Sequence, residues 1–238
     1  MPCGIPILAS NMSQGLMMSR PELVIFDWDG TLMDSVGQIV ASLLYAAARY
    51  DLPLTADAAA NIIGLGLPEA MAVLFPDHPH LRDPIQAVYA QHYVAHSQTG
   101  TGLFAGIEPL LVGLHERGVR LAVATGKSRA GLDRVLAQSG MAARFEVTRC
   151  AGETTSKPDP HMLQEIMQVT GLTPQQCVMV GDSIYDLEMA QRMAMPSVGV
   201  TYGVHQAHKL KAYQPVALVD SVAQLAAWLD EYSQPTRR

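Results

Sequence analysis

Four short apolar runs, separated by helical patterns, constrain the fold of this chain more than any other feature. They are rich in Val, Ile and Leu with little polar alternation, which is typical of strands buried on both faces of a parallel sheet. The runs lie at Leu23–Phe26, Val119–Ala124, Phe145–Val147 and Cys177–Val180, with two weaker ones at Met195–Val200 and Val216–Val219. Helical patterns lie at Arg129–Gln138, Pro160–Val169, Asp186–Met193 and Val222–Glu231. This alternation predicts an α/β fold with a doubly wound, Rossmann-like parallel sheet.

One connection is too long for a single crossover helix. About ninety residues separate Gly30 from the strand near Val119, whereas a crossover needs roughly a dozen or more. Helical patterns fill this interval at Val36–Tyr50, Ala56–Ile63, Pro68–Leu74 and Pro84–Ser97, with Ser35 as a candidate cap of the first. We therefore predict a helical cap domain over residues 35–101, a return helix over Gly106–Arg117, an α/β core formed by residues 21–34 and 102–238, and an N-terminal extension over residues 1–20.

Composition and charge disfavour several classes of protein. The chain carries 16 Lys and Arg against 22 Asp and Glu, a formal net charge of −6, and has no basic stripe that would follow a nucleic-acid backbone. Its three cysteines lack partners at the spacing of a zinc site or a disulfide framework. No run approaches the roughly 18 to 20 apolar residues that span a bilayer, and no signal-peptide pattern is present. We expect a cytoplasmic monomer or homodimer with no nucleic-acid or membrane partner.

Polar motifs follow each of the four strongest predicted strands. They are "DWDGT" (Asp27–Thr31), "TGK" (Thr125–Lys127), "SKP" (Ser156–Pro158) and "GDSIYD" (Gly181–Asp186). The carboxyl ends of parallel strands meet at one edge of the sheet, where ligands bind in such folds. Each motif alone has an ordinary explanation, such as a polar strand exit, a helix N-cap or a solvated lysine. Four motifs at one edge instead indicate a shared site.

The carboxylates of this set require a cation. Two like charges about 4 Å apart repel by about 4 kcal/mol at an effective dielectric constant of about 20. A hard ion that prefers oxygen ligands, keeps waters and holds phosphate is best matched by Mg²⁺. The i,i+4 spacing of Asp182 and Asp186 predicts that both lie on one face of the opening turn of a helix. The carboxylates expected to converge are those of Asp27, Asp29, Asp182 and Asp186.

The motif set resembles that of the haloacid dehalogenase superfamily. The chain looks most like its phosphoglycolate-phosphatase-like hydrolases, which carry a helical cap after the first motif. The resemblance covers about Glu22 to Glu231 and consists of Asp27-x-Asp29-Gly30-Thr31, Thr125, Lys157 and Gly181-Asp182-x3-Asp186. It implies that the carboxylates of Asp27 and Asp182 and the backbone carbonyl of Asp29 ligate Mg²⁺. Asp186 is then expected to act nearby or through water.

Phosphoryl transfer assigns roles to these residues. It needs an attacking oxygen, neutralising charge and a proton for the leaving group. We expect Asp27 to be the nucleophile, which forms an aspartyl-phosphate, and Asp29 to be the general acid and base. Lys157 is the expected catalytic cation, with Lys127 as the alternative. The expected phosphate-binding residues are Gly30, Thr31, Thr125 and Gly126.

Other features leave alternatives open. The loop "GLGLPEA" (Gly64–Ala70) either shapes a substrate pocket or is an ordinary turn between helices. His92 and His96 share the spacing of a helical metal pair but lack acidic or Cys partners, so the cap histidines receive no role. Trp28 alternates with the two aspartates along the chain and is expected to pack in the core.

Three functions fit the sequence. The first is a Mg²⁺-dependent phosphatase that acts on a small phosphorylated metabolite. The second is a phosphomutase of the β-phosphoglucomutase type, which is disfavoured because the cap loop offers no basic motif. The third is a catalytically silent binding protein on the same fold, which is disfavoured because all four motifs are complete.

Overall fold

A six-stranded parallel sheet lies at the centre of the protein, in a computed structural model that describes residues 21–96 and 102–233. Its strands are β1 (Leu23–Phe26), β2 (Arg120–Thr125), β3 (Val147–Cys150), β4 (Cys177–Gly181), β5 (Ser197–Val200) and β6 (Ala217–Val219). Their spatial order is β3-β2-β1-β4-β5-β6, so the order reverses between β1 and β4. The predicted doubly wound α/β fold is confirmed.

Ten α-helices accompany these strands in the described part of the chain. They are α1 (Val36–Ala48), α2 (Ala56–Asn61), α3 (Leu67–Leu74), α4 (Arg82–His96), α5 (Ile107–Glu116), α6 (Arg129–Ser139), α7 (His161–Thr170), α8 (Ile184–Arg192), α9 (Ala207–Lys211) and α10 (Val222–Ser233). The predicted helices are confirmed to within a few residues. Helix α9 was not predicted, because "AHKLK" is too short and too polar to show a helical period. The extension 1–20 and the predicted helix end at Ser97 lie outside the described residues.

Helices cover both faces of the sheet. Along β1, Val24 and Phe26 point into an apolar cluster with α5, α6 and α10, whereas Leu23 and Ile25 point into a second cluster with α7 and α8. All four β1 side chains are fully buried. Successive residues of a strand face opposite sides, so a strand covered on both sides needs apolar residues throughout. This is why β1 was visible in the sequence as an unbroken apolar run.

Helices α1 to α4 bury a third apolar cluster of their own. Its members include Leu43, Ala46, Ile63, Met71 and Ile85. The chain leaves and re-enters the core at one place, where Met33 and Leu103 form an antiparallel bridge and the Asp34 N–H donates to the Gly102 carbonyl at 2.9 Å. A separate cluster and a shared junction support the division into a core and a cap over residues 35–101, which stays a prediction.

The predicted position of β3 was wrong. The strand was expected at Phe145–Val147, but it spans Val147–Cys150, and Phe145 instead packs edge-on against Trp28 with ring centroids 6.1 Å apart. β3 is an edge strand, and its central residues, Thr148 and Arg149, are only partly buried. The apolar pattern therefore ended before the strand began. None of the described helices is both long and apolar enough to cross a membrane.

Candidate active site

The predicted motifs meet at the carboxyl edge of the sheet, beside the point where the strand order reverses. Asp27 follows β1 and Asp182 follows β4, which are neighbouring strands. Thr125 ends β2, and Lys157 reaches the same place from the segment after β3. A reversal of strand order opens a crevice at this edge, which is the usual ligand site of such sheets. The structure thus brings together side chains that are up to 159 positions apart, from Asp27 to Asp186.

Lys157 lies between two carboxylates in the interior. Its Nζ donates to Asp27 Oδ1 at 2.7 Å and to Asp186 Oδ1 at 2.5 Å, and its side chain has no exposed surface. Burial lowers the pKa of Lys157, but the charges of Asp186 and Asp27 outweigh it, so the pKa is raised above its ordinary value. Burial raises the pKa of Asp27 from 3.8 to about 7, opposed by Lys157 and reinforced by Asp186. One ammonium group therefore serves two carboxylates.

Asp182 is held by donors from two loops. Its Oδ2 accepts from the Val204 N–H at 2.7 Å, and its Oδ1 accepts from the Thr31 hydroxyl at 3.2 Å. Burial raises the pKa of Asp182 well above its ordinary value, and the nearby charges of Asp27 and Asp186 add to the rise. Thr31 was predicted to bind phosphate. Its O–H is directed at Asp182 and orients that carboxylate, and phosphate binding by Thr31 stays a prediction.

Gly30 and Gly203 allow the backbone to approach Asp182 closely. Gly30 has a φ of +79°, in the left-handed region, and a Cβ there would lie 2.1 Å from Asp182 Oδ2. A Cβ on Gly203 would lie 2.2 Å from the same oxygen. A side chain at this position would therefore collide with a carboxylate, and the predicted contact between Gly30 and phosphate stays a prediction.

Asp186 lies in the first turn of α8. Its Oδ2 accepts from the Ser183 hydroxyl at 2.7 Å and the Ser183 N–H at 3.1 Å, and Ser183 in turn caps the helix. The prediction that Asp182 and Asp186 share a helical face was wrong, because α8 begins at Ile184 and Asp182 precedes its cap. Both Asp186 oxygens have donors, which suits a supporting role.

The buried carboxylates fit a divalent cation. One oxygen each from Asp27, Asp182 and Asp186 lies within 4.8 Å of the others, and all three residues are buried. With Lys157, these groups carry a formal charge of −2 in a region where charge is poorly solvated. All-oxygen ligand sets favour hard ions. The residues present therefore fit the divalent metal that the sequence predicted.

Asp29 is held apart from this cluster, by different partners. Its Oδ1 accepts from the Ser35 hydroxyl at 2.6 Å and from Lys127 Nζ at 3.0 Å, and Lys127 also lies 3.1 Å from Oδ2. Burial lowers the pKa of Lys127, but the Asp29 charge outweighs it and the pKa is raised. Ser35 was expected to cap α1. It occupies the N-cap position of α1, but its side chain makes no capping bond, because its hydroxyl donates to Asp29.

Both candidate lysines lie in the site, with different partners. Lys157 contacts Asp27, as the sequence favoured, whereas Lys127 contacts Asp29 and reaches Tyr93 of α4, whose hydroxyl is 3.5 Å and whose ring centroid is 5.1 Å from Nζ. From the sequence, Lys157 and Lys127 were alternative candidates for the catalytic cation. The structure gives each its own carboxylate, and the signal for Lys127 was its place in "TGK" at a strand end.

Thr125 and Gly126 line the same cavity as Asp27 and Asp29. Thr125 is fully buried, and its hydroxyl oxygen accepts from the Lys127 N–H at 3.2 Å, which leaves its own hydrogen to donate. A Cβ on Gly126 would lie 2.4 Å from the Leu65 carbonyl and 2.8 Å from the Gly64 carbonyl. At Gly126 the backbone of the core is therefore in close contact with the backbone of the cap loop.

The cap is seated on the core through its "GLGLPEA" loop and the end of α2. The Gly66 N–H donates to the Ser156 hydroxyl at 2.7 Å, beside Lys157. The Tyr185 hydroxyl donates to the Asn61 carbonyl at 2.9 Å, and Lys209 Nζ lies 2.9 Å from Asn61 Oδ1. Residues of the loop also line a cavity above the carboxylates. Of the two interpretations, this arrangement favours the loop that shapes a pocket.

The described cap histidines form no cluster of three or more metal-ligating side chains. His92 stacks between Tyr45 and His96, with ring centroids 4.2 Å and 4.1 Å away, and its Nδ1 lies 3.0 Å from the Ser42 hydroxyl. Trp28 is fully buried against Phe145, as expected of a packing residue. These side chains therefore have structural explanations.

Comparisons with known proteins match the chain to a family model, to curated relatives and to solved structures. The family model described as haloacid dehalogenase-like hydrolase matches residues 24–200. A phosphoglycolate phosphatase of Agrobacterium fabrum is 32% identical over 225 residues, which are 90% of this chain and 96% of that protein. The tyrosine-protein kinase PtkA of Mycobacterium tuberculosis is 35% identical over 193 residues, 79% of this chain and 64% of that protein. A crystal structure of a predicted phosphatase from Clostridium acetobutylicum superimposes with a TM-score of 0.79 at 25% identity, covering 90% of this chain and 100% of that one.

Proposed function

The chain belongs to the haloacid dehalogenase-like hydrolases, and from that membership we propose that it is a Mg²⁺-dependent phosphatase. It hydrolyses a small phosphorylated metabolite through an aspartyl-phosphate on Asp27. One observation carries the proposal: Asp27 is buried and held by Lys157, while Asp29, two residues on, has a separate set of partners. Two carboxylates with different environments suit two different chemical tasks.

Asp27 performs the attack. One of its oxygens is held by Lys157 at 2.7 Å, which fixes the carboxylate and leaves the second oxygen to bond with phosphorus. The leaving alkoxide departs as the aspartyl-phosphate forms, and water later hydrolyses that intermediate. Because Asp27 is only 2% exposed, little solvent has to be displaced before attack.

Asp29 moves the proton. It donates to the departing alkoxide in the first step and accepts a proton from the attacking water in the second. Ser35 and Lys127 hold its carboxylate in position from two sides. Since its side chain is bonded outside the carboxylate cluster, the Asp29 carboxylate serves proton transfer, and only its backbone carbonyl would serve the metal.

The remaining groups bind phosphate and metal. The Thr125 hydroxyl and the Gly126 N–H donate to phosphate oxygens, and Lys157 adds positive charge beside the reacting carboxylate. The Asp27 and Asp182 carboxylates and the Asp29 carbonyl would hold Mg²⁺, with Asp186 in support. When bound, the ion supplies the positive charge that offsets these carboxylates and the transferring phosphoryl group.

The phosphomutase alternative gains no observation in its favour. The loop residues that line the cavity bring no charge to it; they are Gly64, Leu65, Leu67, Pro68 and Ala70. The predicted cytoplasmic location, oligomeric state and absence of nucleic-acid partners remain predictions.

A panel of small phosphate esters, assayed with Mg²⁺ and with excess chelator, tests the function. We expect phosphate release from at least one ester, lost on chelation and restored by added Mg²⁺. No release from any ester by folded, Mg²⁺-loaded protein would overturn the phosphatase. Transfer observed only with a sugar bisphosphate would favour the mutase.

Asp29→Asn will separate proton transfer from metal binding. We expect kcat to fall by about 10²- to 10⁴-fold, because the amide cannot exchange a proton with the leaving group or water. Mg²⁺ affinity, measured by calorimetry, should be unchanged because the backbone carbonyl remains. Asp34→Asn, an exposed aspartate on the same segment, is the matched control and should leave both quantities unchanged. A large loss of Mg²⁺ affinity in Asp29→Asn would contradict the assignment.

Gly126→Ala will disturb the contact between cap and core. The added methyl group would lie 2.4 Å from the Leu65 carbonyl, so the cap loop must shift. We expect kcat/KM to fall by about 10- to 100-fold, because small displacements of binding groups are costly in rate. Gly37→Ala, which meets no atom within 4 Å, should leave kcat/KM unchanged. Equal activity of the two variants would show that the cap loop need not hold this position.

A further inference from the structure

The cavity beneath the cap is much larger than a two-carbon phosphate ester requires. Its volume is about 640 Å³, and Asp27, Asp29, Thr125 and Gly126 line it. Pockets of roughly 300–1,000 Å³ enclose drug-sized ligands. The cavity therefore accommodates a substantial group beyond the phosphate.

The cap is in contact with the core around this cavity. The Gly66 N–H bonds to Ser156 at 2.7 Å, and the Leu65 carbonyl packs directly over Gly126. Asn61 adds contacts with Tyr185 and Lys209 on the other side. The cavity therefore has this volume while the cap is in contact with the core, and the volume does not come from a cap that has moved away from the core.

Apolar and aromatic side chains form most of the cavity wall. Ile39 and Leu43 of α1, Leu65 of the cap loop, and Tyr89 and Tyr93 of α4 face it. The two tyrosine rings lie 5.9 Å apart between centroids. Such a wall favours an apolar or aromatic group, because transfer of that group from water to the cavity is favourable.

Arg134 of α6 brings a positive charge to this apolar wall. Its Nε is buried and has no hydrogen-bond partner, and no ion pair of its guanidinium is found within residues 21–96 and 102–233. By contrast, Arg120, Arg129 and Arg149 each pair with a glutamate at 2.5–2.7 Å. A buried donor without an acceptor is unfavourable unless a ligand supplies one.

The charges around Arg134 indicate which kind of ligand group would accept a hydrogen bond from its guanidinium. Lys127, the other cation in the wall, is already paired with Asp29, and the exposed carboxylate of Asp83 also lines the cavity without an ion pair to Arg134 in the described part of the chain. Arg134 thus offers one positive charge, which matches the single charge of a carboxylate and the two-pronged geometry of its oxygens. A second phosphate group would carry more negative charge than this region balances.

We propose that the substrate is a phosphate monoester with a bulky apolar or aromatic body that carries a carboxylate, and that Arg134 binds this carboxylate. The phosphate lies at Asp27 and the body fills the cavity below α1 and α4. This inference rests on the proposed phosphatase function, since that function places the phosphate end. Arg134 is then a specificity residue that contacts substrate away from the reacting bond.

Binding to an inactive protein tests the inference without turnover. We would measure, by calorimetry on Asp27→Asn with Mg²⁺, the affinities of phenyl phosphate, 4-carboxyphenyl phosphate, 4-(carboxymethyl)phenyl phosphate and phosphoglycolate. At least one carboxylated aryl ester should bind roughly 10- to 100-fold more tightly than phenyl phosphate, because a charged hydrogen bond is gained. Phosphoglycolate should bind more weakly than that ester.

Variants of Arg134 test whether this residue is responsible for the tighter binding of the carboxylated ester. Adding Arg134→Gln to the inactive protein should remove the carboxylate advantage and leave phenyl phosphate affinity unchanged, and Arg134→Lys should retain part of the advantage. Arg49→Gln, at an exposed arginine of the cap, should retain all of it. Circular dichroism spectra of the variants would show that each is folded.

The outcomes separate the two proposals. Two results would overturn only this inference, provided that the unsubstituted protein releases phosphate from some ester. One is that phosphoglycolate binds as tightly as the aryl esters, and the other is that Arg134→Gln keeps the tighter binding of the carboxylated ester. If no ester binds and none is hydrolysed, the phosphatase proposal fails and this inference fails with it.

Discussion

Asp27→Asn will abolish phosphate release while the protein stays folded. An amide oxygen is a poor nucleophile, so no aspartyl-phosphate can form, and we expect kcat to fall by at least about 10⁴-fold, as for the loss of other enzyme nucleophiles. Asn has the size of Asp and keeps an oxygen for Lys157, which is 2.7 Å away. It also removes one of three clustered negative charges. The melting temperature should therefore be equal to or above that of the unsubstituted protein.

The measurement is phosphate release with Mg²⁺ together with a thermal unfolding curve. Asp133→Asn is a suitable control, because Asp133 is exposed on α6 and its one ion pair among the described residues is with Arg129 at 3.3 Å. It should leave the rate unchanged. If Asp27→Asn kept most of its activity, Asp27 could not be the nucleophile.

Lys157→Met will damage both stability and rate. The substitution leaves the buried carboxylates of Asp27 and Asp186 without their shared partner. Removal of one member of a buried ion pair typically costs about 3–5 kcal/mol, and we expect a loss of that size in the free energy of unfolding. The rate should fall by about 10³-fold as well, because the charge beside the transferring phosphoryl group is lost.

Denaturant unfolding and phosphate release measure the two effects. Lys211→Met, at an exposed lysine of α9, should change neither. Added Mg²⁺ should restore part of the stability of Lys157→Met, since the same carboxylates hold the ion. A variant as stable as the control, with or without Mg²⁺, would contradict a structural role for this ion pair.

The central fold was predictable because strands that are buried on both faces consist of apolar residues, which are visible in the sequence as unbroken runs. β1 was predicted with its observed bounds, and β4 differed by one residue, since strands covered on both faces are apolar throughout. The edge strand β3 has partly exposed Thr148 and Arg149, so it carried a weaker signal. The start of α8 was missed because Ser183, the residue that caps it, lies inside the polar motif itself.

The candidate site was predictable where it depends on strand ends and not where it depends on the cap. Asp27, Thr125, Lys157 and Asp182 come together because parallel strands end at one edge. The contacts of Lys127 with Tyr93 and of Ser156 with Gly66 require the packing of α4 and the cap loop on the core. No local pattern encodes that packing. Arg134 likewise looks like an ordinary polar position of an amphipathic helix.

The junction between Met33 and Leu103 has a consequence for how such a protein can diversify. The intervening segment departs and returns through adjacent, hydrogen-bonded backbone, with Asp34 donating to Gly102. An insertion whose ends already touch can change length or sequence with little entropic penalty for the rest of the chain. The carboxylate cluster lies on strands outside this segment. Duplicated copies of such a gene could therefore exchange substrates by altering one contiguous stretch while inheriting the same reaction.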